Sequence, residues 1–191
     1  MRPPRILVAY ASRHESTAEI AGSIAAELRA SGCSAALAET RTVADLAGFD
    51  AAVVGSALYL DRWDSSAIDL LRRERSALAG IPTWLFSSGP VGVGTATAHP
   101  ERLPQPPDVA ALADEIGARA TTFGGRIDPA TGGLDIEVMT TAGLAGDWRD
   151  FDRIRAWARA IAGEVKARAV VRDAPGEPVP AADAASDATP G

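Results

Sequence analysis

Six consecutive residues, Ser12-Arg13-His14-Glu15-Ser16-Thr17, put three hydroxyls, a guanidinium and an imidazole in one short segment. The segment lies between an apolar run, Ile6–Ala11, and a stretch in which Ile20, Ile24 and Leu28 recur every four residues. Recurrence at four places those side chains on one face of a helix. A strand therefore hands over to a helix N-terminus here. Such a terminus presents unpaired amide groups and a partial positive charge, and it attracts phosphate. Ser12, Ser16 and Thr17 add hydroxyl donors, Arg13 adds charge, and His14 is placed to touch the same anion. The same residues also suit a structural role, with Ser16 or Thr17 capping the helix and Glu19 completing a capping box from Ser16.

Two further segments follow apolar runs. Gly55-Ser56-Ala57-Leu58-Tyr59-Leu60-Asp61-Arg62-Trp63 follows Ala51–Gly55, and Ser87-Ser88-Gly89-Pro90-Val91-Gly92 follows Thr83–Phe86. Tyr59 and Trp63 bring flat rings that can stack on an aromatic ligand. Trp63 suits equally well a place in the core where strand meets helix. Other chemistries are disfavoured. The two histidines, His14 and His99, have no nearby cysteine partner, so no metal site is expected. Ser87 and Ser88 lack the Gly-x-Ser-x-Gly elbow of serine hydrolases. Gly89, Gly92 and Gly94 do not follow the first strand, which argues against a nicotinamide-dinucleotide fingerprint.

The elements that must position these loops form an alternating series. The runs Ile6–Ala11, Ala51–Gly55 and Thr83–Phe86 show no polar alternation, as expected of parallel strands buried on both faces. Ser34–Ala38 is a weaker second strand. Thr121–Ile127 is a fifth, in which Gly124 and Gly125 suggest a bulge or a close ligand. Helical stripes intervene at Ile68, Leu71 and Leu78, at Val109, Leu112 and Ile116, and at Phe151, Ile154, Trp157, Ile161 and Val165. Asp150, just ahead of the last stripe, suits a cap. Strand and helix alternating in this way predict an α/β fold with a parallel sheet. Gly89 to Pro107 reads as a long loop. Residues 1–169 make one domain, and 170–191, rich in proline, alanine and acids, read as a disordered tail.

The net charge of −6 makes nucleic acid and anionic membrane surfaces poor partners. The single cysteine, Cys33, excludes an internal disulfide and reads as a small buried hydrophobe. No stretch approaches the roughly 20 apolar residues that span a bilayer, so stable membrane insertion is not expected. A soluble, cytoplasmic protein is the expectation.

The first loop resembles the flavodoxin pattern Ser/Thr-x-x-Gly-x-Thr, with Ser12 and Thr17 at its ends and Glu15 in place of the glycine. A residue with a side chain resists positive φ there, and a carboxylate repels a phosphate unless it points away. The motifs Gly55-Ser56-Ala57-Leu58-Tyr59, Trp63, Phe86-Ser87-Ser88-Gly89-Pro90 and Gly146-Asp147-Trp148-Arg149-Asp150, followed by Ile154 and Trp157-Ala158, resemble the subgroup that includes the menaquinone-dependent protoporphyrinogen dehydrogenases. The resemblance covers roughly residues 5 to 165. It implies a flavodoxin-like three-layer sandwich with a five-stranded parallel sheet in the order 2-1-3-4-5, and FMN as cofactor. Its phosphate would lie on residues 12–17, and its ring among Ala57, Leu58, Tyr59, Trp63, Ser88, Gly89, Pro90 and Gly92. Electron transfer with a redox partner protein or a quinone is the implied activity. Oxidation of protoporphyrinogen by a quinone is an alternative, and a flavin-free binding module of the same fold is a second. Against the enzyme alternative, Asp128 to Gly146 is acidic or neutral and has no aromatic residue.

Overall fold

The computed structural model describes residues 2–89, 91 and 98–173. Its main sheet holds β1 (Arg5–Ala11), β2 (Ser34–Glu39), β3 (Ala51–Ala57), β4 (Thr83–Ser88) and β5 (Arg119–Phe123), in the order β2-β1-β3-β4-β5. Every neighbouring pair is parallel, with Val8 level with Leu37 on one side and Val53 on the other. This is the expected flavodoxin-like α/β sheet. The order reverses between β1 and β3, so the carboxyl ends of these strands open onto the crevice where such folds bind ligands.

The strands lack polar alternation because helices cover both faces. On one face Ile6 and Val8 pack with α1 (Ser16–Ala30) and α6 (Phe151–Asp173), burying Ile20, Ile24, Leu28, Ile154 and Ile161. On the other, Leu7, Ala9 and Val54 pack with α2 (Ser65–Arg73), α3 (Arg75–Ala79) and α4 (Pro107–Ile116), through Leu71, Leu78, Val109 and Leu112. Cys33 is buried in the first core, and burial pushes its thiol pKa up.

Several elements differ from the sequence expectation. The fifth strand ends at Phe123 and not at Ile127. A Cβ on Gly124 would stand 2.0 Å from the Trp148 carbonyl oxygen, so the chain there accepts a crossing backbone. Arg126–Ile127 (β6) instead pairs antiparallel with Gly146–Asp147 (β7). The helix after Trp63 is two helices that meet at Glu74. The long loop before Pro107 contains a 3-10 turn, Pro100–Arg102. Helix α6 continues to Asp173, past the expected boundary at residue 169, and the remainder of the expected tail lies outside the described residues. A further helix, α5 (Leu134–Thr141), occupies part of the 128–146 stretch. Among the described residues no helix is long and apolar enough to cross a membrane.

Candidate functional site

The site grows from the end of β1. The chain leaves Ala11, passes through Ser12–Glu15 and enters α1 at Ser16. Glu15 sits in the left-handed region, at φ 59 and ψ −19, and gives α1 no side-chain cap. Its side chain is exposed. The Ser16 amide donates to the His14 carbonyl at 2.7 Å, and the Glu19 amide to the Glu15 carbonyl at 2.9 Å. This tight turn buries Ser16 and Thr17, which are 8% and 0% exposed. The hydroxyl oxygens of both are buried without a hydrogen-bond partner.

Two partnerless hydroxyls in the first turn of a helix are costly, at roughly 1–3 kcal/mol each. The amides of Thr17 and Ala18 in that turn also lack intrahelical partners. Donors held this way suit the oxygens of an anion. The capping box does not form. Ser16 caps nothing, and the Glu19 carboxylate turns outward to Arg126 at 2.9 Å and Arg149 at 2.8 Å.

The neighbouring loop is tied to this one. The Arg13 amide donates to the Tyr59 hydroxyl at 3.1 Å, and the Arg13 guanidinium lies 4.5 Å from the Tyr59 ring centroid. The same guanidinium reaches Asp64 at 3.2 Å. Burial pushes the Asp64 carboxyl up, but hydrogen bonds from the Ser66 amide and hydroxyl and from Arg13 outweigh it. The result is a pKa below the usual carboxylate value. Burial raises the Tyr59 phenol. His14 meets the Tyr59 ring edge-on at 6.2 Å, and its Nε2 lies 2.8 Å from Asp135 at the start of α5. That hydrogen bond holds Asp135 below the usual carboxylate value. His14, expected to touch the anion, also bonds a carboxylate.

Tyr59 and Arg62 bond each other reciprocally, at 2.9 and 3.0 Å. Leu60 and Asp61 between them both have positive φ, and Leu60 is 94% exposed at the tip. Ala57 and Leu58 are half-buried beside β4, where the Leu58 amide donates to the Ser88 carbonyl at 2.9 Å. Gly89, at φ 118, donates its amide to the Phe123 carbonyl at 3.1 Å. The amides of Leu58 and Gly89 are therefore spent within the fold.

Of the two places the sequence leaves open to Trp63, a ring contact or the core, the structure gives the core. The residue is 5% exposed and packs against the α2 face of the sheet. Its indole N–H donates to Ser87 at 2.8 Å. Ser87 donates on to Gln105, and the Gln105 amide to Thr122. The one donor of Trp63 is satisfied within the fold, as a buried indole requires.

The structure thus brings Ser12–Thr17 and Tyr59 together, and places Ala57 and Leu58 beside Ser88 and Gly89. Pro90 and Gly92 lie outside the described residues. Sequence reasoning missed Asp64 and Asp135. Asp64 carries a legible signal, standing before Ser65-Ser66 as the N-cap of α2 and accepting the Ser66 amide. Asp135 is 121 positions from His14 and carries none.

A family model described as a flavodoxin domain matches residues 7–130. Among solved structures, the chain is similar to the rubredoxin oxygen:oxidoreductase of Desulfovibrio gigas, with 15% identity and a TM-score of 0.60. That match covers 88% of this chain and 38% of the other. An archaeal flavodoxin shares 14% identity over 85% of this chain and 99% of its own, at a TM-score of 0.57. Oxidised flavodoxin 2 from Bacillus cereus shares 20% over 84% and 99%, at 0.52. No curated protein sequence matches the chain.

Proposed function

Since the chain belongs to the flavodoxin-domain family, we propose that it is an FMN-binding electron-transfer protein whose Ser12–Thr17 loop holds the flavin phosphate. The buried, partnerless hydroxyls of Ser16 and Thr17 carry this reading. In it they donate to phosphate oxygens, together with Ser12 and the amides of Thr17 and Ala18. Arg13 supplies the countercharge, and Glu15 keeps its carboxylate outward. Tyr59, with Ala57, Leu58, Ser88 and Gly89, borders the ring. Trp63 supports that wall from below through Ser87. Bound FMN supplies reversible one- and two-electron chemistry, so the chain needs no acid or base of its own. Its residues bind, orient and exclude water. The partner is a redox protein or a quinone, and the exposed Leu60 at the loop tip offers it an apolar contact.

The test is a visible spectrum of the purified protein, followed by titration of the apoprotein with FMN. Saturable binding at micromolar concentration supports the reading, and its absence overturns it. One observation favours a flavin-free module as a second reading: Asp135 and Glu15 put two carboxylates at the phosphate loop. The same titration decides between the two.

A further inference from the structure

Asp64 divides its two carboxylate oxygens between two tasks. Oδ1 accepts the Ser66 amide at 3.0 Å and the Ser66 hydroxyl at 2.8 Å, which caps α2. Oδ2 accepts Nε of Arg13, a residue of the phosphate loop, at 3.2 Å. A helix cap needs only one oxygen. The second belongs to a carboxylate that is 5% exposed, and a buried charge persists where it is paired and hydrogen-bonded. The Asp64 amide donates to Ser56 Oγ at 3.0 Å, and Ser56 is fully buried in β3. Asp64 is therefore fixed to the sheet on one side and to Arg13 on the other.

Arg13 carries this connection to Tyr59. Its guanidinium lies 4.5 Å from the ring centroid, and its amide donates to the phenol oxygen at 3.1 Å. The Arg13 side chain is otherwise exposed, and a free arginine samples many rotamers. The bond to Asp64 selects the one that stacks on Tyr59.

Tyr59 needs such support. It opens a turn in which Leu60 and Asp61 both hold positive φ, a costly backbone for residues with side chains. The reciprocal bonds of that turn join the backbones of Tyr59 and Arg62, so they do not orient the ring. A stacked cation and a hydrogen bond to the phenol oxygen do orient it. One series of contacts thus runs from Ser56 in the sheet through Asp64 and Arg13 to the Tyr59 ring.

We propose that Asp64 is a positioning residue for flavin binding. Acting through Arg13, it fixes the Tyr59 ring as one wall of the flavin site and ties that wall to the phosphate loop. The proposal rests on the FMN reading above. It adds to the charge that Arg13 offers the phosphate, since the N–H donors other than Nε remain for that anion.

The test uses Asp64→Asn, Asp64→Ser and Arg13→Ala. Asn and Ser cap helices about as well as Asp, so α2 keeps its start. Asp64→Asn can place an amide NH2 where Oδ2 stood, and that group cannot accept from Arg13. Asp64→Ser offers no second oxygen. FMN affinity is measured at low and high salt, together with flavin emission at saturation, because an adjoining tyrosine ring quenches flavin fluorescence. Both Asp64 variants should bind FMN about fivefold more weakly at either salt, and the bound flavin should emit more strongly. Arg13→Ala, at an exposed position, should raise the emission to the same level, and adding Asp64→Asn to it should change neither emission nor affinity further. If Asp64→Asn instead tightens FMN at low salt with emission unchanged, Asp64 acts only as a charge and the proposal is overturned. An equal effect of Asp64→Asn with and without Arg13 would overturn it too, because the action would then run through α2. Wild-type affinity and emission in all three variants would overturn it and leave the FMN reading standing. A wild type that binds no FMN would overturn that reading and the proposal with it.

Discussion

Glu15 is the residue at which fold and ligand make opposing demands. The loop needs a left-handed turn, and glycine would supply it without strain. Glutamate holds φ 59 at a cost of about 1–2 kcal/mol. Glu15→Gly should therefore raise stability by roughly 1 kcal/mol in thermal or urea unfolding and tighten FMN binding. Destabilisation would mean that the exposed carboxylate makes a contact worth more than the strain. Asp64 is a second pressure point. Its pKa is depressed in the folded state, so its stabilisation is complete above the ordinary carboxylate value near 3.9 and is lost as pH falls below it. Asp64→Asn should be destabilising at neutral pH, and the gap from wild type should close in unfolding curves recorded between about pH 4 and 2. At this scale the sequence is legible where chemistry is local. Hydroxyls between a strand and a helix announce an anion site, and Glu15 announces the strained turn. Ser16 does not cap because the helix starts on it and Glu15 holds the cap position, and the Glu19 partners Arg126 and Arg149 lie more than a hundred positions away.

Helix α5 reaches the site through the hydrogen bond from His14 to Asp135. Asp135 is more than half exposed, so the pair contributes little to stability. Its carboxylate nonetheless stands beside the anion loop. Asp135→Ala should leave the unfolding midpoint nearly unchanged and tighten FMN binding several-fold, with the gain shrinking as salt rises. An unchanged affinity at low salt would show that His14 fully screens that charge. The elements differ in how openly the sequence displays them. Strands β1, β3 and β4 are plain because their central positions are buried on both faces and are apolar or small. The fifth strand is misplaced because Gly124 reads like part of a bulged strand. Only the Trp148 carbonyl packed against it explains why pairing stops at Phe123. The break at Glu74 has no local marker, since glutamate forms helices well.

The whole molecule is an alternating chain wound on both faces of one sheet, and its periodicity alone predicts that much. The order β2-β1-β3-β4-β5 then puts the loops after β1, β3 and β4 at one edge. Contacts across that edge, such as Arg13 with Tyr59 and Leu58 with Ser88, depend on the finished fold and have no sequence signature. With a net charge of −6, association with an acidic redox partner should be slow at low salt. The central claim is that the orphaned hydroxyls of α1 wait for a phosphate, and Thr17→Val tests it most directly, because valine keeps the shape and removes only the hydroxyl. Apoprotein stability and FMN affinity should be measured together on wild type and variant. The account predicts opposite signs. The apoprotein should gain about 1 kcal/mol from losing a buried unpaired hydroxyl, and FMN affinity should fall about tenfold. An apoprotein that loses stability while FMN affinity stays unchanged would contradict it.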